Sequence, residues 1–170
     1  RCAVIDSPYD TLEQAIAVRG RFVRAPSHLV DAFRRAKERR TAVAIEQIRK
    51  DIAASGPGKA AYHPADMSKP DQIADLVART ASSFGSVDVV VNNAGIQHVA
   101  PVEDFPVERW DAVIAINLSS AFHTTRLAVP GMKAKGWGRI INIASAHGLV
   151  ASAQKTAYVA AKHGIVGLTK

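Results

Sequence analysis

Val87-Asp88-Val89-Val90-Val91-Asn92-Asn93-Ala94-Gly95 is the stretch on which the fold turns. Its valines form a β-branched apolar run of strand length, the pattern of a parallel strand buried on both faces. The run ends in Asn-Asn-Ala-Gly, where small and short polar residues let backbone and side chains approach a ligand. In open α/β sheets ligands bind at the carboxyl ends of the strands. A second apolar run, Ile140-Ile141-Asn142-Ile143-Ala144, ends at Ser145. Thirteen residues after that serine comes Tyr158-Val159-Ala160-Ala161-Lys162. Positions i and i+4 share a helix face. An ammonium beside a phenol favours the phenolate and suits the tyrosine to general acid–base work, and a hydroxyl at a strand end can hold a substrate oxygen against it. Tyr-x-x-x-Lys taken alone is also an ordinary solvated helix face. Asn117 lies within the helical pattern Trp110 to Leu118, where an asparagine is commonly solvent-facing or marks a kink.

The surrounding pattern alternates. A charged helical stretch covers 27–54, Gly56-Pro57-Gly58 makes a turn, and 59–63 is a short strand. A helix over 71–84 sets Ile73, Leu76 and Val77 on one side, followed by the strand 87–91. A long helix runs over 107–135, interrupted or bent near Pro130. The strand 139–144 follows, and a last helix begins near Lys155. Strands alternating with helices predict a parallel, doubly wound sheet.

Composition narrows the function classes. The 170 residues suit one domain, and 48% hydrophobic content supports a core. No apolar stretch approaches the roughly 18 residues of a membrane span, and no secretory signal is visible. The single cysteine, Cys2, has no internal disulfide partner, so a reducing cytoplasm is the expected location. The net charge of +7 comes largely from Arg19, Arg21, Arg24, Arg34, Arg35, Arg39 and Arg40; after Ile45 cations are scattered among acids without interleaved aromatics. That distribution argues against nucleic acid. His98, His123 and His163 have no metal-like partners, and no metal is expected.

Asn92-Asn93-Ala94-Gly95, Asn117, Ser145 and Tyr158-x-x-x-Lys162, in this order and spacing, resemble the short-chain dehydrogenases/reductases. The runs Asn92 to His98, Glu103-Asp104-Phe105-Pro106, Gly138 to Ser152 and Ala157 to Gly164 resemble those of the bacterial D-3-hydroxybutyrate dehydrogenases. The resemblance covers about Ile45 to Lys170 and implies a Rossmann-like doubly wound sheet. It also implies NAD as cofactor and reversible hydride transfer with a secondary alcohol, here a small 3-hydroxy acid. By resemblance, Tyr158 is the acid/base, Lys162 supports it and holds the nicotinamide ribose, Ser145 orients the substrate oxygen and Asn117 anchors a relay water. Asp66 matches the residue contacting adenine, with a turn or cap role as its alternative. Asn92, Ala94 and Gly95 match the cofactor-lining positions, while Gln97, His147 and Lys155 match those around the substrate carboxylate. The family further implies a homo-oligomer of tetramer type.

Departures from the family shape the remaining expectations. Its first unit carries a turn of the form T-G-x-x-x-G-x-G, whose glycines admit the cofactor pyrophosphate. Counting back from Ile45 places that turn near Gln14 to Gly20, where Gly20 is the sole glycine and Ile16 and Val18 are β-branched. Cys2 to Ser7 only faintly resembles the first strand. Residues 1–44 therefore read as an atypical arginine-rich segment, foreign or out of frame, ahead of the central part of the family's domain over 45–170; an intact small protein with a divergent first unit is the competing reading. The first strand-turn unit and the later strands are expected to be missing and the activity of these residues alone impaired. A reductase of 3-oxoacyl carrier protein using NADP, or a non-catalytic interaction fragment, are the alternatives.

Overall fold

The computed structural model describes residues 2–5, 15–18, 21–24, 42–56 and 58–170. It divides into two compact units, Arg1–Pro64 and Ala65–Lys170.

In the first unit, strands β1 (Cys2–Ile5) and β4 (Lys59–Tyr62) pair in parallel, Cys2 opposite Lys59 and Ile5 opposite Tyr62. The stretch that only faintly resembles a first strand therefore does take a parallel partner. Within the stretch where the glycine turn was counted to lie, the described residues Ala15–Val18 form a strand, β2, paired antiparallel with β3 (Arg21–Arg24). Helix α1 (Ala42–Ala54) precedes β4 and buries Ile48 and Ile52, as Ala60 is buried on β4. Arg49 of α1 holds Glu46 at 2.6 Å and donates to the Ala60 carbonyl. The earlier part of the expected helix, 27–41, lies outside the described residues, as do Arg19, Arg34, Arg35, Arg39 and Arg40.

The second unit is built on β5 (Val89–Asn92) and β6 (Arg139–Asn142), paired in parallel with Asn92 opposite Asn142. Before β5 comes α2 (Pro70–Phe84), which starts with Pro70 in the first turn, where its missing N–H costs nothing. It stops at Gly85, whose φ of 88° only glycine adopts freely. Ile73 and Leu76 of α2 pack with Ala65 and Met67, and Ala94, Ile116 and Leu127 close over them. A second apolar cluster joins Val113 to Ala157 and Ala161, with Ile96, Phe105, Leu118 and Tyr158 around it.

The long helical segment corrects one expectation. Pro130 does not interrupt it: α4 (Ser120–Lys135) continues through that proline. Pro130 and Arg126, the residue whose carbonyl loses its donor, are both exposed, so water can take the freed bond. The irregularity lies earlier, where a π-type turn (Ala115–Ser119) separates α3 (Val107–Ile114) from α4. Such single turns frequently accompany functional positions. After β6 a 3₁₀ turn (Ala146–Gly148) leads to α5 (Thr156–Thr169), with Lys155 at its cap. Strand ends are shorter than the sequence pattern by one residue at His63 and two at Ala144, and β5 runs one residue further, through Asn92.

Candidate active site

The carboxyl ends of β5 and β6 are locked by side chains. Thr124 Oγ1 donates to Asn92 Oδ1 at 2.7 Å, Asn92 Nδ2 to Asn142 Oδ1 at 2.8 Å, and Asn142 Nδ2 to Thr169 Oγ1 at 2.9 Å. This chain ties α4, both strands and α5 together. Asn92 was expected to line a cofactor, but both ends of its amide are engaged here. Asn142, Thr124 and Thr169 were not singled out in the sequence. Asn142 left a signal, since a polar residue inside an apolar strand needs a partner.

Asn117 sits in the π-type turn at 3% exposure. Its Oδ1 accepts the Ile96 N–H at 2.8 Å and its Nδ2 donates to the Ile96 carbonyl at 2.9 Å. The residue is neither solvent-facing nor idle: it clamps the loop leaving β5 by imitating a strand partner. Gly95 keeps its backbone against this amide, with an added Cβ placed 3.6 Å from Asn117 Nδ2.

Beyond β6, Ser145 caps the 3₁₀ turn, its Oγ accepting the His147 N–H at 3.2 Å. The same turn lies so close to α5 that a Cβ on Gly148 would stand 2.7 Å from the Lys162 carbonyl oxygen. Lys162, on the facing helix, is 5% exposed and donates from Nζ to the Ile143 carbonyl at 2.6 Å. That Nζ lies 5.6 Å from the centre of the Tyr158 ring. Burial pushes the Lys162 ammonium below the ordinary lysine range. The His147 ring meets the Tyr158 ring edge-on at 6.1 Å, and Lys155 Nζ is 3.4 Å from His147 Nε2. Ser145, His147, Lys155, Tyr158 and Lys162 are thus linked through one set of contacts.

Gln97 and Asp66 stand apart from that set, as do Asn92 and Asn117 with the bonds described above. Gln97 is exposed in the loop after β5, and no hydrogen bond ties it to Lys155 or His147. Asp66 organises the turn into α2: its Oδ1 accepts the Ser68 N–H and hydroxyl, and its own N–H donates to Gln72. Those Ser68 hydrogen bonds hold its carboxyl below the usual range. The turn role proposed as an alternative is therefore filled, with Oδ2 left for another partner. Among the described residues no group of acids, histidines or cysteines forms a metal site, and no helix is long and apolar enough to cross a membrane.

Residues 29–170 match the family model for short chain dehydrogenase. The chain belongs to the short-chain dehydrogenase family. Its similarity to this family is high in individual members. It is 70% identical over 121 residues to the D-beta-hydroxybutyrate dehydrogenase of Cupriavidus necator, covering 71% of this chain and 47% of that protein. It is 63% identical over 126 residues to the D-beta-hydroxybutyrate dehydrogenase of Rhizobium meliloti, covering 74% and 49%. A solved metagenomic short-chain oxidoreductase in complex with NADP matches with a TM-score of 0.70 at 36% identity, over 76% of this chain and 58% of that one. The chain spans about half the length of the curated relatives it matches. Short-chain dehydrogenases are oxidoreductases that work with nicotinamide cofactors on small molecules.

The donor set fits the two ends of such a cofactor. Among the described contacts, Lys162 spends one of its three N–H groups on Ile143, leaving donors for ribose hydroxyls. Asp66 Oδ2 is an acceptor of the kind an adenine amino group needs. The glycine-rich pyrophosphate turn is not written near Gln14 to Gly20.

Proposed function

We propose that the intact protein interconverts D-3-hydroxybutyrate and acetoacetate with NAD, using Ser145, Tyr158, Lys162 and Asn117. The observation that carries the reading is the Lys155–His147 contact at 3.4 Å, beside the Tyr158 ring. Among the described residues no acid forms an ion pair with Lys155. A cation and an imidazole held together next to an acid–base tyrosine suit a short substrate with a carboxylate at one end and a hydroxyl at the other. Identity to D-beta-hydroxybutyrate dehydrogenases supports the same substrate.

In this reading the Tyr158 oxygen takes the substrate hydroxyl proton in oxidation and returns it in reduction. Lys162 stands with its Nζ 5.6 Å from the centre of the Tyr158 ring and holds the nicotinamide ribose. Ser145 already accepts the His147 N–H, so its own O–H is free to donate to the substrate oxygen as charge develops there. His147 and Lys155, with Gln97 joining from the neighbouring loop, hold the carboxylate and so aim the carbinol carbon. The bound NAD supplies the hydride chemistry. Asn117 fixes the Ile96 loop and anchors a relay water through what its clamp leaves free. Asp66, Asn92, Ala94 and Gly95 form the cofactor side. The reading extends to a cytoplasmic homo-oligomer of tetramer type.

A second reading, an NADP-dependent reductase such as one acting on 3-oxoacyl carrier protein, is favoured by the NADP named for the solved relative. The test is NADH formation from D-3-hydroxybutyrate against NADPH consumption with an acyl thioester. It is run on this chain and on a chimera with a family first unit before Ile45 and a family C-terminal segment. Activity on 3-hydroxybutyrate in the chimera, lost in Tyr158→Phe, is the expected result; turnover of the thioester alone would transfer the case to the second reading.

A further inference from the structure

Gln154 is the one non-glycine residue with positive φ among the described residues, at 59°. Its side chain is exposed, and no hydrogen bond holds it among those residues. The side chain is not what keeps the backbone there. For an L-residue with a Cβ this region is crowded, and such conformations persist only where the surroundings over-determine them. The surroundings here are specific. The Gln154 carbonyl accepts the Ala100 N–H at 3.0 Å. Ala100 belongs to the loop after β5, which carries Gln97; Gln154 belongs to the loop after β6, which carries Ser145 and His147. One backbone bond therefore ties the two loops that leave the adjacent strand ends.

The next residue shows what the bond sets. Lys155 caps α5 and its carbonyl accepts the Val159 N–H at 2.9 Å, so its backbone is bound to the helix bearing Tyr158 and Lys162. Its side chain turns back to His147. A negative φ at Gln154 would send the chain into Lys155 on another bearing, and the carbonyl bond to Ala100 and the contact with His147 would not both survive.

We infer that Gln154 is a positioning residue: its left-handed backbone and its bond to Ala100 clamp the two loops so that Lys155 stands at His147 and selects a substrate with a carboxylate. The selectivity part rests on the proposed 3-hydroxybutyrate reading. The clamp itself does not.

The experiment compares Gln154→Val, whose β-branch resists positive φ, with Gln154→Gly, which adopts it freely, in the intact protein. Amide hydrogen exchange is followed at Ala100 and at Ala161 within α5. In Gln154→Val, exchange at Ala100 should rise about tenfold or more while Ala161 keeps its protection, and Gln154→Gly should restore Ala100. With 3-hydroxybutyrate as substrate, Gln154→Val should raise KM about tenfold with kcat falling far less, and Gln154→Gly should rescue KM. Unaltered Ala100 exchange in Gln154→Val, equal damage from Gly and Val, or parallel loosening of Ala161 would each overturn the clamp. Absence of 3-hydroxybutyrate turnover in the unsubstituted protein would sink the substrate reading, and the exchange comparison would still decide the clamp.

Discussion

The two ends of the β5–β6 pair each carry a lysine, and the two live in opposite electrostatic settings. At the amino end, Lys135 is exposed and reaches Asp88 and Ser86, each at 2.7 Å. At the carboxyl end, Lys162 is buried, bonded to one backbone carbonyl and stationed by the Tyr158 ring. Lys135 has its counter-ion, and its hydrogen bond is the main reason the Asp88 carboxyl is held below the ordinary range. Lys162 bonds no carboxylate among the described residues, and burial penalises its charge. The first arrangement is a surface tie between strand and helix. The second keeps a cation in a setting that stability alone would not favour, the setting that the proposed acid–base role of Lys162 would use.

Replacing the buried lysine should separate function from stability most sharply. In the intact protein, Lys162→Met is expected to lower kcat about 10²–10⁴-fold while the denaturant midpoint stays level or rises, since Met fills the space without a charge to desolvate. The pH dependence follows from the lowered value. Burial cost is full while Lys162 is charged in both states. It shrinks as pH rises from its lowered folded value toward about 10.4, the unfolded value. Stability should therefore gain with pH in that window, and Lys162→Met should remove the gain. Full turnover in Lys162→Met would erase the contrast between the two ends.

Lys155→Ala and His147→Ala test how far the carboxyl-end chemistry extends. Each should weaken use of 3-hydroxybutyrate by about 1.5–3 kcal/mol relative to an uncharged secondary alcohol, the range for a charge-assisted hydrogen bond. Equal losses on both substrates, read as kcat/KM ratios, would remove the carboxylate role.

Gly148→Ala probes the contact between the 3₁₀ turn and α5. The new Cβ would meet the Lys162 carbonyl, a backbone atom that cannot step aside alone. A loss of about 1–3 kcal/mol in denaturant unfolding is expected. A loss of activity larger than the stability change explains would show that the turn sets Ser145 against Tyr158.

The smallest effect belongs to the amino end. Lys135→Ala or Asp88→Asn should cost about 0.2–1 kcal/mol, as exposed pairs do. Because the folded pKa of Asp88 is depressed, this contribution is present above about 3.9, the unfolded value, and fades as pH falls through the folded value. A loss comparable to Gly148→Ala would mean that the surface tie matters more than its exposure indicates.

Much of this site was legible in the chain because its spacing is local. Tyr158 and Lys162 share a helix face wherever a helix forms, and the valine and isoleucine runs before Asn92 and Ser145 read as parallel strands, although the expected burial on both faces is not met: β5 is half-buried throughout and β6 begins on an exposed Arg139. From Lys59 onward the order of elements was legible for the same reason: periodicity switches visibly between strand and helix. The irregular turn at Ala115–Ser119 was not, since Trp110 to Leu118 reads as unbroken helix and Pro130 drew the expected break. What distinguishes the two positions is their exposure: Pro130 lies on an open face, while Asn117 is pulled inward by two bonds to Ile96, a residue 21 positions away.

By itself the sequence determined the strands and helices from Lys59 onward, the parallel pairing of β5 with β6 and the residue types of the site, because these follow from local period and side-chain chemistry; the antiparallel β2–β3 pair and the π-type turn did not follow from it. Only the tertiary structure decided which groups are spent and which stay available. Asn92 gives one N–H to Asn142 and one lone pair to Thr124, Asp66 forms a turn, Ser145 accepts from His147 yet keeps its own proton, and Lys155 reaches His147 from beside a Gln154 of positive φ. Those outcomes depend on partners far apart in the chain, and a hydrogen bond of a few ångströms between distant residues exists only once packing has brought its ends together.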